Sequence, residues 1–215
     1  MGHNMMRKDG AEHIAERKLM LAALGPQPVR THWEPIFRAD AQRVLDTLAP
    51  QLGKFQNWVK NVPERDGIRP NENFARELLQ LFTIGVNLLS DDGTPRLDAK
   101  GLLVAAYSQS DIETLARVLT GYTYPTRPGA TADFWGNRNY YVGDMIPFDQ
   151  FHDKGVKVAL GGRIRFGAGG SAATEVGAAI KALVDHPNTP PFISRQLIQK
   201  MVTSSPTPGY VARVA

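Results

Sequence analysis

Residues 70–85 read Pro70-Asn-Glu-Asn-Phe-Ala-Arg-Glu-Leu-Leu-Gln-Leu-Phe-Thr-Ile-Gly85, and the fold turns on how this stretch coils. Asn71 suits an N-cap, Glu72 the positive end of a helix dipole and Gly85 a C-cap. The segment therefore predicts a helix from about Asn71 to Gly85. At about 100° per residue, Phe74, Leu78, Leu81 and Phe82 share one apolar face, and Arg76 points away from it. Asn73 and Glu77 lie on the flank of that face. Glu72–Arg76 and Asn73–Glu77 are (i, i+4) pairs, which ordinarily stabilise a helix surface. Glu77, a carboxylate at the edge of an apolar stripe, is either a paired structural group or an acid–base residue.

The same periodicity extends in both directions. Ser110 with Glu113 reads as a capping box, followed by a stripe of Ile112, Leu115, Ala116, Leu119 and Tyr122, with Gly121 where the helix should stop. Val176, Ala179, Ile180, Leu183 and Val184 form another stripe, ending at His186-Pro187, where His186 is expected to meet the last carbonyls of its own helix. Thr189 caps a further helix with Pro190 or Pro191 in its first turn and Ile193, Leu197 and Met201 on one face. Thr207-Pro208 repeats this start signal before Tyr210, Val211 and Val214, and the chain stops there, as a truncation or a short docked tail would. Upstream, helices are expected over Ala11–Leu24 and from Pro35, with a short stripe of Leu52, Phe55, Trp58 and Val59.

Two stretches break this pattern. Asp91-Asp92-Gly93 and Ala99-Lys100-Gly101 are turn signals within Leu88–Tyr107, which predicts an excursion containing a hairpin. Val156, Val158 and Leu160 alternate up to Gly161-Gly162, and Ile164 and Phe166 alternate beyond, which predicts a hairpin with a type I′ turn. The expected fold is thus mainly α, a single-domain helical bundle-like array with one or two small β-hairpins. Residues 1–34 are a poorly patterned N-terminal segment, and 35–215 a helical domain truncated at its C-terminus.

The 215 residues contain no cysteine, which excludes disulfides, thiol catalysis and cysteine-ligated metals. Twenty-five Lys and Arg against 21 Asp and Glu give a net charge of +4, spread along the chain rather than clustered as nucleic-acid binding requires. The longest apolar runs are far short of the roughly 20 residues a membrane-spanning helix needs. No phosphate-cradling loop, dinucleotide fingerprint, nucleophile elbow or His-Glu-x-x-His occurs, so the residues leave the cofactor unknown and assemble no complete metal set. The residual chemistry lies in Phe151-His-Asp-Lys-Gly155. His152 and Asp153 there form a base with its orienter or part of a metal site, or else Asp153 opens a turn while His152 packs inside. Trp135, Tyr140, Tyr141, Phe148 and Phe151, interleaved with Arg138, form either a stacking surface or the private core of a long loop.

Four blocks in this order resemble a known family. Residues 67–85, 111–125, 151–155 and His186-Pro-Asn-Thr-Pro-Pro-Phe-Ile-Ser-Arg-Gln-Leu-Ile-Gln-Lys-Met-Val202 are similar to the motifs of the bacterial domain-of-unknown-function family 1800. Members are longer, and the chain reads as a fragment or a reduced member. The resemblance implies a mainly helical, periplasmic or exported protein with a sulfatase-like partner. It also implies that any site gathers catalytic Glu77, His152 and Asp153 with binding residues Asn71, Glu72, Asn73 and Arg76. Two functions follow as expectations. One is an envelope-associated binding or scaffold protein; the other is a hydrolase, metal-assisted or not, acting on an extracellular polymer.

Overall fold

The computed structural model describes residues 58–137 and 140–215, all within one compact unit. The expected helices over Ala11–Leu24 and from Pro35, the stripe residues Leu52 and Phe55, and Arg138 lie outside the described residues.

The stretch that opens the fold coils, but not as one regular helix. α1 spans Asn73–Glu77 and passes directly into a π-helical turn over Leu78–Phe82. The wider turn shifts the phase of the buried face. Phe74, Ala75, Leu78 and Leu79 are buried, whereas Leu81, expected inside, is half exposed. Gly85 does terminate the segment, at φ +70°, with its N–H donating to Leu79 O. Trp58 stacks on Phe74 at 4.9 Å, leans on Tyr122 and donates its indole N–H to Leu119 O.

α2 (Gln109–Val118) is capped two residues earlier than the Ser110–Glu113 pattern implies. Ser108 is the N-cap and Asp111 completes the capping box. Its stripe is as expected: Ile112, Leu115, Ala116, Leu119 and Tyr122 are all buried. Beyond it, the two-residue strands β1 (Tyr122–Thr123) and β2 (Ile146–Pro147) pair antiparallel across a long aromatic loop, in which Phe134 stacks on Phe151 at 4.1 Å. A second antiparallel sheet joins β3 (Lys157–Ala159) to β4 (Ile164–Phe166). α3 (Ala172–Val184), α4 (Thr189–Met201) and α5 (Pro208–Val214) follow.

The excursion at 86–106 is more than a hairpin. Leu88 N–H donates to Val104 O, Val104 N–H to Arg96 O, and Arg96 N–H to Leu88 O, so three short extended segments pair in a closed triangle. Closure leaves no free edge at these positions. Asn188 fastens the triangle to the start of α4. Its Oδ1 accepts from Leu89 N–H, while its Nδ2 donates to Ile84 O and Asn87 O.

These features overturn the expected mainly α, bundle-like array. Among the described residues, five helices and two small antiparallel sheets make a mixed α and β domain, and α2 packs against the β3–β4 hairpin as well as against α1 and α3. The reason is physical: backbone pairing between short segments leaves no trace in side-chain periodicity, which is the signal that reveals helices. The hairpin also differs in phase from the expected one. Lys157 and Ala159 face inward, and Val156 and Val158 are exposed. Its turn spans Leu160–Arg163 between the paired residues Ala159 and Ile164, instead of two glycines alone. On α4 the buried residues are Pro191, Ser194 and Ile198, and Leu197 and Met201 face outward.

Replacing Asn188 by Ala removes three hydrogen bonds and strands buried backbone carbonyls. It is expected to lower unfolding stability by about 2–4 kcal/mol in urea titrations, each deserted buried polar group costing about 1–3 kcal/mol.

Candidate functional site

The polar residues singled out in the sequence sit at the two ends of α2. At its N-terminal end, Glu72 Oε2 accepts from Arg76 Nη2 at 3.1 Å and from Gln109 Nε2 at 2.9 Å, and Arg69 reaches Glu113 at 3.4 Å. Glu72–Arg76 is therefore the expected (i, i+4) pair, extended by a residue of α2. Asn71 closes the preceding turn: its N–H donates to Asn61 Oδ1 and its Oδ1 accepts from Asn73 N–H. Glu77 is half-buried beside Tyr107. Burial pushes the Tyr107 phenol up; the Arg76 charge opposes this and the Glu77 charge adds to it. This end is a partly solvated network with ordinary surface geometry.

The other end is closed and charged. Asp153 receives a two-pronged grip from Arg117, Nε to Oδ2 at 3.0 Å and Nη2 to Oδ1 at 2.9 Å. Burial raises the Asp153 carboxyl, but the Arg117 hydrogen bonds, the Gly155 N–H and the charges of Arg117 and Lys157 outweigh it and hold it below the usual aspartate value. Lys157, fully buried, donates to the carbonyls of Asp153 and Gly155 and forms an ion pair with Glu175 Oε2 at 2.8 Å. His152, also fully buried, reaches the same Glu175 oxygen through Nε2 at 3.1 Å.

Hydrogen-bond geometry fixes one proton here. His152 Nδ1 lies 2.9 Å from Thr120 O, and a carbonyl only accepts, so Nδ1 carries a hydrogen. The other ring nitrogen then faces a carboxylate oxygen. Thr120 completes the lattice: its hydroxyl donates to Arg117 O and accepts from Asp153 N–H. The second oxygen of Glu175, Oε1, is buried with no hydrogen-bond partner among the described residues. It lies against Gly170, where a methyl group would collide with it. At Gly121, with φ +89°, an added Cβ would come within 3.0 Å of both His152 Cβ and Phe148 O.

The structure thus brings His152 and Asp153 together through Thr120 and Glu72 and Arg76 together at the opposite end of α2, while Asn71 bonds Asn61, whose amide reaches Ala116 O. Glu77 has Tyr107 for its neighbour. Among the described residues, no group of three or more His, Asp or Glu side chains is arranged to hold a metal. No helix among them is long and apolar enough to cross a membrane.

Sequence reasoning passed over Glu175, Lys157 and Arg117. The signal for Glu175 was present: it sits inside the stripe formed by Val176, Ala179, Ile180 and Leu183, and a charge in that position demands a partner. Lys157 was hidden because Val156 and Val158 make the more apolar face of the strand, whereas the structure turns Lys157 and Ala159 inward.

All of these residues fall within residues 46–215, which match a family model described as a protein of unknown function, DUF1800. The chain belongs to the DUF1800 family. No solved structure matches it. In this DUF1800 chain the Phe151–Gly155 block is where α2, the β3–β4 hairpin and α3 are tied together.

Glu175→Gln removes the nearer of the two carboxylates that face the buried Lys157 ammonium, the other being Asp153 at 3.4 Å, and should cost about 3 kcal/mol of unfolding stability by denaturant titration. The Asp153 carboxyl has a folded value below its unfolded one, so its pairing stabilises the fold above about pH 4 and is lost as pH falls through the folded value. Melting temperatures recorded on the acid side should therefore fall less steeply in Arg117→Ala than in the parent chain.

Proposed function

We propose that this DUF1800 chain is an envelope-associated binding or scaffold protein whose partner is a sulfatase-like protein. The observation that carries this reading is the closure of the most reactive-looking set. Both ring nitrogens of His152 are engaged and its side chain has no exposed surface, so no face is left to meet a substrate. Asp153 is likewise held by Arg117 instead of orienting a free base. A network of this kind locks elements together.

Exposed aliphatic side chains offer a complementary feature. Leu97 and Leu103 are bridged partners in the β triangle, 60% and 55% exposed, with Leu102 and Val86 also exposed nearby in the chain. Large apolar groups presented together on a rigid closed unit suit burial against another protein. A hydrolase built on Glu77 with His152 and Asp153 finds less support, because Glu77 and His152 keep different neighbours.

Co-purification of the full chain with a sulfatase-like protein tests the proposal. Leu97→Asp/Leu103→Asp is expected to weaken the complex by at least about tenfold, roughly 1.4 kcal/mol, while leaving the melting temperature unchanged. Stabilisation by a divalent metal that disappears in Glu77→Gln or His152→Ala would overturn it in favour of the hydrolase.

A further inference from the structure

Between the β triangle and the start of α4 lies a cavity of about 320 Å³, lined by Leu88, Leu89, Ser90, Asp91, Arg96, His186, Pro187 and Asn188. Its volume is in the range of small-molecule sites, at their lower end of roughly 300 Å³. Three observations give it chemical character.

The first is His186. It is only 7% exposed, and its Nδ1 accepts the Asn188 N–H at 3.1 Å instead of meeting its own helix's last carbonyls. Burial, and then the Arg163 charge, hold this imidazole below the usual histidine value, so it is neutral with its hydrogen on Nε2. That Nε2–H has no hydrogen-bond partner among the described residues, on a side chain that lines the cavity. A donor fixed in direction and left unused is what a ligand acceptor would meet. The second is the pair Arg96 and Asp91. Both are exposed, both line the cavity, and neither side chain has a partner among the described residues. Opposite charges on one rim, unpaired with each other, suit a ligand carrying both signs. The third is the helix behind them. α4 is 13 residues long and directs the positive end of its dipole here. Pro190 and Pro191 leave few first-turn N–H groups, so the dipole adds potential more than hydrogen bonds.

We propose that this cavity binds a small zwitterion, a free amino acid with an apolar side chain. Its carboxylate lies on Arg96 and the His186 Nε2–H, its ammonium group on Asp91, and its side chain against Leu88, Leu89 and Pro187. Ser90 stands ready at the same rim as a neutral hydrogen-bonding group. Its lining includes neither the Glu175 network nor the exposed aliphatic pair of the triangle, and the proposal does not depend on the sulfatase-like partner.

The test is a titration of the full chain with L-alanine, propionate and ethylamine, followed by the ¹⁵N signals of the His186 ring and the Arg96 guanidinium. L-Alanine is expected to give a saturable shift with a Kd on the order of millimolar, as suits so few atoms. Propionate should bind about fivefold more weakly, the size of effect one partly exposed ion pair supplies, and ethylamine should not saturate. Arg96→Ala should abolish the shift, and Asp91→Asn should erase the preference for alanine over propionate; both residues are exposed, and folding of each variant is checked by its melting temperature. Absence of saturation by alanine, equal binding of propionate and alanine, or an Arg96→Ala chain that binds like the parent would each overturn the proposal.

Discussion

A single carboxylate oxygen organises this domain. Glu175 Oε2 receives the Lys157 ammonium and faces the His152 ring, and through them α3 is tied to the β3–β4 hairpin and to the loop behind β2. Removing charges from water is costly, and each of these groups is almost wholly shielded. The arrangement is stable only because every cation finds an acceptor: Lys157 has two carbonyls besides the carboxylate, and Arg117 has both oxygens of Asp153. Taking any member away strands another. That interdependence explains why so many polar side chains converge on a region with little regular secondary structure, and why Gly121 and Gly170 are needed where the chain passes closest to the charges.

The second organising device is neutral. The β triangle at 86–106 satisfies its own backbone around a closed circuit, and Asn188 anchors it with three hydrogen bonds from a side chain that is almost completely buried. One residue at the start of α4 thereby fixes both a helix and a separate β unit. The amino-acid cavity and the exposed leucines of the triangle are consequences of this anchoring, because a unit held rigidly at its base can present side chains in defined directions.

Much of the helical framework was legible in sequence. The stripes of α2 and α3 are buried residue for residue, and Thr207 and Pro208 open α5 as their chemistry dictates. Where reading failed, the failure was one of phase. A π turn after Glu77 displaced Leu81 from the core, α4 buried Ser194 and Ile198 in place of Leu197 and Met201, and β3 buried Lys157 in place of its valine neighbours. In β3 and α4 the more polar face went inward, because burial was settled by what lay opposite. His152 and Asp153 were recognised as chemically significant, but their partners Arg117, Thr120, Lys157 and Glu175 come from three other elements.

What the sequence determined by itself was local: which segments coil, where Gly and Pro stop them, and which family motifs the chain carries, since these depend on residues within a turn or two of one another. Only the tertiary structure decided that the domain is mixed rather than a bundle, that the His152–Asp153 step is a sealed charge lattice, and that His186 faces a cavity. Those outcomes rest on contacts between residues tens of positions apart, and a buried charge takes its meaning from whichever distant group neutralises it.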